Sequence, residues 1–86
     1  MLDTERRRLL WRATHRGIKE MDLIVGGYAE AHLAMMDASA LAMFSDILEI
    51  PDQLLLSWVT NQEMVPESQK SKMLDDVLAF HPRLGP

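Results

Sequence analysis

The sequence predicts an all-α protein: a small, five-helix, antiparallel bundle-like fold in a single domain over residues 1–86. A chain of 86 residues is the size of one domain. Apolar residues recur at helical spacing along the chain, with breaks at Gly17, residues 37–39, Pro51 and Pro66. No segment alternates apolar and polar residues as a half-buried strand does. The connections between the apolar segments are short, which favours antiparallel neighbours.

The first predicted helix begins at Asp3 or Thr4, whose side chains can cap the free N–H groups of a first turn. Its apolar side consists of Leu9, Leu10 and Ala13. The arginines at positions 6, 7, 8 and 12 are expected on the wet side. They are either a solvated face or a docking surface, and the sequence leaves both open. Trp11 is either partly exposed or packed against arginine stems.

Gly17 is expected just past the end of this helix, in the left-handed conformation that closes a last turn. His15 and Arg16 then lie where a helix C-terminus favours cations. Glu20 lies in the first turn of the next helix, where an anion is favoured. These residues are therefore expected to fix a turn and to present their side chains on it.

The second predicted helix covers residues 18–35, and Gly26 and Gly27 within it indicate either close helix packing or a bend. Asp37 or Ser39 is expected to cap the third helix. Pro51 suits the first position of a fourth helix over residues 51–61, which carries Trp58 on its apolar side as an expected core residue.

Residues 62–66 are predicted as a loop, and Pro66 with Glu67 as the start of a fifth helix that His81 and Pro82 end. Residues 4–81 are expected to be ordered, with a loose tail over 82–86.

Composition argues against several function classes. The chain has no cysteine, no glycine-rich phosphate loop and no apolar run near the roughly 20 residues that span a bilayer. Its three histidines lie far apart and lack metal-ligand spacing. We therefore expect a protein that is not an enzyme, binds no metal or cofactor itself and does not enter a membrane. The absence of a recognisable targeting segment points to the cytoplasm of a bacterium.

Charge is distributed unevenly. Residues 1–20 contain six basic and three acidic residues, a net +3, and residues 21–86 contain three basic and ten acidic residues, a net −7. Nucleic-acid binding usually needs a strongly basic domain. A basic end on an acidic body better suits docking to a charged protein surface.

Two segments resemble a known family. Residues 16–20, Arg-Gly-Ile-Lys-Glu, followed by Met21 and Asp22, are similar to the Arg-Gly-x-x-Glu signature of the small flavinylation factors of succinate dehydrogenase. Residues 48–59 resemble the family's second landmark, an acidic turn that leads into a short helix with a tryptophan, here Trp58. We call these the signature segment and the tryptophan segment. The resemblance covers roughly residues 5–80.

The resemblance implies a factor that promotes covalent attachment of FAD to the flavoprotein subunit of succinate dehydrogenase by binding and ordering that subunit. The flavoprotein of fumarate reductase is a second candidate partner. The bond to the flavin is formed by the target's own histidine, so the factor itself needs no FAD site. Arg16, Gly17 and Glu20 carry over as partner-binding residues, with Arg8 and Asp22 as weaker candidates on adjoining helical faces.

Two other interpretations remain open. One is a small helical regulator, such as an antitoxin-like module, that binds a protein or a nucleic acid. The other is a stable helical scaffold without a specific partner.

Overall fold

The computed structural model describes residues 2–80. This part of the chain contains five α-helices and two single-turn 3-10 helices, joined by short connections. The α-helices are α1 (Thr4–Thr14), α2 (Lys19–His32), α3 (Ala38–Leu48), α4 (Asp52–Val59) and α5 (Lys72–Leu78). The 3-10 helices are Leu33–Met35, directly after α2, and Glu67–Gln69, before α5. Residues 2–80 contain no strand, which confirms the predicted all-α class. None of the helices in that range is both long enough and apolar enough to cross a membrane.

Side-chain caps start three of the helices. Asp3 accepts a hydrogen bond from the Arg6 N–H at 2.9 Å, and Asp37 accepts one from the Ala40 N–H at 2.8 Å. Both capping residues were among those predicted. Ser71 caps α5 by accepting from the Leu74 N–H at 3.0 Å. Each side chain satisfies an N–H group that the helix itself leaves without a partner.

Several predicted boundaries differ from the structure. Pro51 lies one residue before α4 rather than at its first position, with an extended ψ of 142°. Pro66 and Glu67 open only the short 3-10 helix, and α5 begins six residues after Pro66 and ends at Leu78. The expected helix end at His81 and Pro82, and the expected tail over 82–86, lie outside the described residues.

Arg6 of α1 binds the segment that follows α2, a helix that ends at His32 rather than at the predicted residue 35. Its Nε donates to the Leu33 carbonyl at 3.1 Å, and an Nη donates to the Met36 carbonyl. The guanidinium thus binds carbonyl oxygens at the 3-10 turn, where the Leu33 carbonyl also accepts a hydrogen bond from the Met36 N–H at 3.2 Å. The assignment of Arg6 to the wet side of α1 was therefore wrong.

The core lies between α2 and the helices α1, α4 and α5, while α3 packs mainly against α1 and α5. Its largest fully buried side chains include Phe44, Met21, Leu33, Leu55 and Leu74. Trp58 is 5% exposed, which confirms it as a core residue.

Gly26 and Gly27 serve close packing rather than a bend, because α2 continues through both. A Cβ on Gly26 would lie 3.2 Å from the Ala13 carbonyl oxygen of α1. A Cβ on Gly27 would lie 2.7 Å from a ring carbon of Phe80. The glycine pair therefore lets α1 and the Phe80 ring approach the α2 backbone.

Candidate partner-binding site at the α1–α2 turn

The turn between α1 and α2 is held by two aspartates. An Asp22 carboxylate oxygen accepts a hydrogen bond from the Arg16 N–H. Asp52 Oδ2 accepts one from the Gly17 N–H at 2.6 Å. These carboxylates satisfy the N–H groups of the turn from outside it.

The left-handed conformation expected for Gly17 was wrong, because no glycine among residues 2–80 has a positive φ. The aspartates make a left-handed cap unnecessary. A Cβ on Gly17 would lie 3.4 Å from Asp52 Oδ2, an ordinary contact. Gly17 is thus an exposed position beside a carboxylate rather than a strained one.

The Arg16 side chain points into the molecule. Its Nε donates to Asp52 Oδ1 at 2.5 Å, while Nη1 and Nη2 donate to the carbonyls of Leu48 and Ile50 at 2.9 and 2.7 Å. The side chain is only 8% exposed. Because Leu48 ends α3 and Ile50 precedes α4, Arg16 places a cation at the C-terminal end of α3 and pairs with the start of α4.

Arg16 and Asp52 therefore join the signature segment to the tryptophan segment. Through these contacts, the α1–α2 turn in the signature segment binds the α3–α4 connection in the tryptophan segment. Sequence reasoning missed Asp52, although it lies in the acidic stretch of the tryptophan segment, directly after the proline that precedes a helix. Nothing in the sequence paired it with Arg16, which lies 36 positions earlier.

The five predicted partner-binding residues occupy different environments. Contacts bring Arg16, Gly17 and Asp22 together at the turn, and Asp22 is half-buried. Glu20 is exposed in the first turn of α2 and forms no hydrogen bond or ion pair with residues 2–80. Arg8 is exposed on α1 and is likewise unpaired within that range. It lies apart from the turn, about two helical turns before His15.

An aromatic stack adjoins the turn. The rings of Trp11 and His15 lie nearly parallel, with centroids 4.3 Å apart and an interplanar angle of 11°. Of the two environments predicted for Trp11, the structure has the exposed one, with 61% of the residue accessible. Both rings and Gly17 line a shallow groove of about 390 Å³. Arg12 of α1 and Glu49 also line this groove and form an ion pair with each other.

The described side chains do not suggest metal chemistry. Within residues 2–80, no three histidine, aspartate or glutamate side chains are grouped so that they could hold a metal ion. The carboxylates at the turn are instead occupied by backbone N–H groups and by the Arg16 guanidinium. The arrangement is suited to presenting a rigid surface.

Comparison with known proteins identifies relatives of this chain. A family model described as flavinator of succinate dehydrogenase matches residues 7–81. The chain is 41% identical over 73 residues to FAD assembly factor SdhE of Acetobacter pasteurianus, a match that covers 85% of this chain and 67% of that protein.

Mitochondrial proteins named succinate dehydrogenase assembly factor 2 also match. The one from Arabidopsis thaliana is 34% identical over 64 residues, covering 74% of this chain and 34% of the relative. The one from Schizosaccharomyces japonicus is 33% identical over 76 residues, covering 87% and 53%. The chain thus spans about a third to a half of these longer relatives. Because the family model extends over most of the chain and takes in both landmark segments, this protein belongs to the family of flavinators of succinate dehydrogenase.

Proposed function

We propose that this protein promotes covalent attachment of FAD to the flavoprotein subunit of succinate dehydrogenase, by binding that subunit through the α1–α2 turn. The names of its relatives, FAD assembly factor and succinate dehydrogenase assembly factor 2, support this role. The flavoprotein of fumarate reductase is the second target that we propose. The site of action is the bacterial cytoplasm, a prediction that the mitochondrial relatives leave open.

One structural observation carries the proposal. The arginine of the signature, Arg16, is buried and forms its contacts within the protein. Gly17 and Glu20, the glycine and glutamate of the signature, are exposed at the turn that Arg16 stabilises. A turn fixed from behind loses little conformational freedom when a partner binds its outer side. Glu20 has no partner within residues 2–80, so its carboxylate is free to accept hydrogen bonds from another protein.

The chemistry of flavin attachment belongs to the target in this proposal. The flavoprotein's own histidine forms the bond to the flavin, and the factor orders the subunit around it. The factor therefore acts without being an enzyme and without holding FAD. Calorimetry with free FAD should give negligible binding, and a stoichiometric complex of micromolar affinity would contradict this part of the proposal.

The central test separates function from folding at Glu20. The dehydrogenase flavoprotein is co-expressed with wild-type factor, Glu20→Ala or Glu30→Ala in cells that lack their native factor. Covalent flavin is measured by in-gel fluorescence. Glu30 is the matched control, because it is also exposed on α2 and unpaired within residues 2–80.

We expect wild type and Glu30→Ala to support flavinylation and Glu20→Ala to fail while remaining folded. The loss of one exposed carboxylate at a helix start should cost at most about 1 kcal/mol of stability. Helicity and melting temperature are recorded for each variant. Full flavinylation with folded Glu20→Ala would remove that residue from the binding surface, and failure of the wild type would refute the function itself.

A further inference from the structure

We propose that the Trp11–His15 stack is the apolar anchor of a docking face on α1, and that its occupant is an acidic surface of the flavoprotein that also contacts the turn. This docking face consists of Arg8, Trp11 and His15. The inference rests on the proposed function. It adds a part of the interface that lies outside the signature segment, together with the charge of the surface that it meets.

The stack is exposed, and a hydrogen bond holds one of its two rings in place. Trp11 is 61% accessible, which is unusual for the residue type with the largest apolar surface. The His15 ring lies flat on it, and His15 Nδ1–H donates to the Trp11 carbonyl oxygen at 2.8 Å. Because this hydrogen bond fixes the imidazole, a partner that covers the stack need not immobilise two free side chains. Exposed tryptophans that stack on a neighbouring ring are well suited to anchor protein interfaces.

A positively charged side chain, Arg8, lies beside the Trp11–His15 stack. Arg8 precedes Trp11 on α1 by three residues and precedes His15, the residue directly after α1, by seven, so the three positions follow one side of the helix and its C-cap. Arg8 is exposed and has no ion pair within residues 2–80, whereas Arg12 is paired with Glu49. The docking face therefore presents an apolar platform beside an uncompensated cation. Its complement is a partner surface with a carboxylate next to an apolar or planar group.

The docking face is continuous with the exposed part of the turn. Trp11 and His15 line the same groove as Gly17, and Glu20 follows in the first turn of α2. A partner seated on the Gly17–Glu20 side of the turn can therefore extend over the stack. A symmetric contact with a second copy of this chain is disfavoured, because it would bring the Arg8 side chains of both copies to one interface.

The test measures binding to purified FAD-loaded flavoprotein and covalent flavin formation in the same set of variants. The variants are Trp11→Ala, His15→Ala and Arg8→Glu, with Met64→Ala as the matched control. Met64 is 86% exposed and lies in the loop after α4, away from α1 in sequence. Melting temperatures and sedimentation of the free factor are recorded for every variant.

We expect Trp11→Ala to weaken binding by about tenfold or more without lowering the melting temperature, and His15→Ala to weaken it less. Arg8→Glu should slow association and reduce its dependence on salt. Met64→Ala should bind like the wild type.

Other outcomes would overturn the inference. If Trp11→Ala and His15→Ala both bind and flavinylate like the wild type while Glu20→Ala fails, the docking face is refuted and the proposed function stands. If the wild type binds no flavoprotein, both fall together. If the free factor is a dimer that Trp11→Ala converts to a monomer, the stack contacts a second copy of this chain instead of the flavoprotein. Duplex DNA binding that Arg8→Glu abolishes would assign the face to nucleic acid.

Discussion

The Arg16 guanidinium and the Asp52 carboxylate form an ion pair, with Nε and Oδ1 2.5 Å apart, that connects the two landmark segments of the family. The other oxygen of the same carboxylate holds the Gly17 N–H. With side chains 8% and 15% exposed, the pair is largely shielded from solvent. Buried ion pairs are screened little by salt, and removal of one partner leaves a buried charge. The signature arginine therefore stabilises the turn from inside the protein.

The first prediction concerns this pair. Asp52→Ala should destabilise the protein by about 3 kcal/mol, because it leaves the Arg16 guanidinium without its counter-charge. Arg16→Lys should also destabilise it, since one ammonium cannot reproduce the forked contacts to a carboxylate and two carbonyls. Urea denaturation measures both effects. Flavinylation should fall at least in proportion to the unfolded fraction, because the pair also holds the turn that we propose as the binding surface. An Arg16→Lys protein of normal stability that no longer flavinylates would instead mean that the arginine contacts the partner.

The second prediction uses the two tryptophans as a matched pair. Trp58→Ala should cost about 3–5 kcal/mol, because it empties a large volume in the core. Trp11→Ala should change stability by no more than about 0.5 kcal/mol, as is usual for exposed positions. Their accessible fractions are 5% and 61%. Thermal melts of both variants decide the point, and equal shifts in melting temperature would show that the two indoles do not differ in burial.

The third prediction concerns the glycine pair in α2. Gly26→Ala should destabilise by about 1–3 kcal/mol, because its Cβ would meet backbone atoms of α1 that cannot move alone. Gly27→Ala should stay within about 1 kcal/mol of wild type, because the close neighbour is the Phe80 ring, which can rotate away, and because alanine favours a helix. Chemical denaturation of the two variants measures the difference. A Gly27→Ala protein less stable than Gly26→Ala would show that the Phe80 ring cannot shift.

The fourth prediction concerns alkaline pH. Burial raises the pKa of Tyr28 above its usual value of 10.0, and the negative charge of Asp76 adds to this rise. The folded protein therefore holds the phenol proton more tightly than the unfolded chain. The contribution of neutral Tyr28 is complete below pH 10.0 and is lost as pH rises through the higher pKa of the folded state.

Tyr28→Phe tests this directly. The variant loses no hydrogen bond to residues 2–80, since the hydroxyl makes none there. Melting temperatures should fall less steeply for Tyr28→Phe than for wild type as pH rises above 10.0. Tyr28 is the single tyrosine of the chain, so tyrosinate absorbance in the folded protein reports its pKa without overlap. A midpoint at or below that of the unfolded chain would contradict the prediction.

The sequence by itself determined the helical class, most helix starts and the identity of the signature. Helical spacing of apolar residues and short-range capping by Asp3 and Asp37 act within a few positions, so they can be read locally. The burial of Trp58 also followed from its place on an apolar helix side. The sequence did not decide whether Trp11 is exposed or packed against arginine stems, because helical spacing places it at the margin of the apolar side.

Tertiary structure alone decided the partners of Arg6, Arg16 and Asp52. Arg6 was predicted on a wet face and Arg16 on a partner-binding surface, yet both side chains bind backbone carbonyls of distant segments of the chain. Asp52 replaces the left-handed glycine that local rules predict at Gly17. A charged side chain is buried only where donors and acceptors from separate elements converge on it, and that convergence depends on how the helices pack. Local sequence patterns carry no record of such long-range partners.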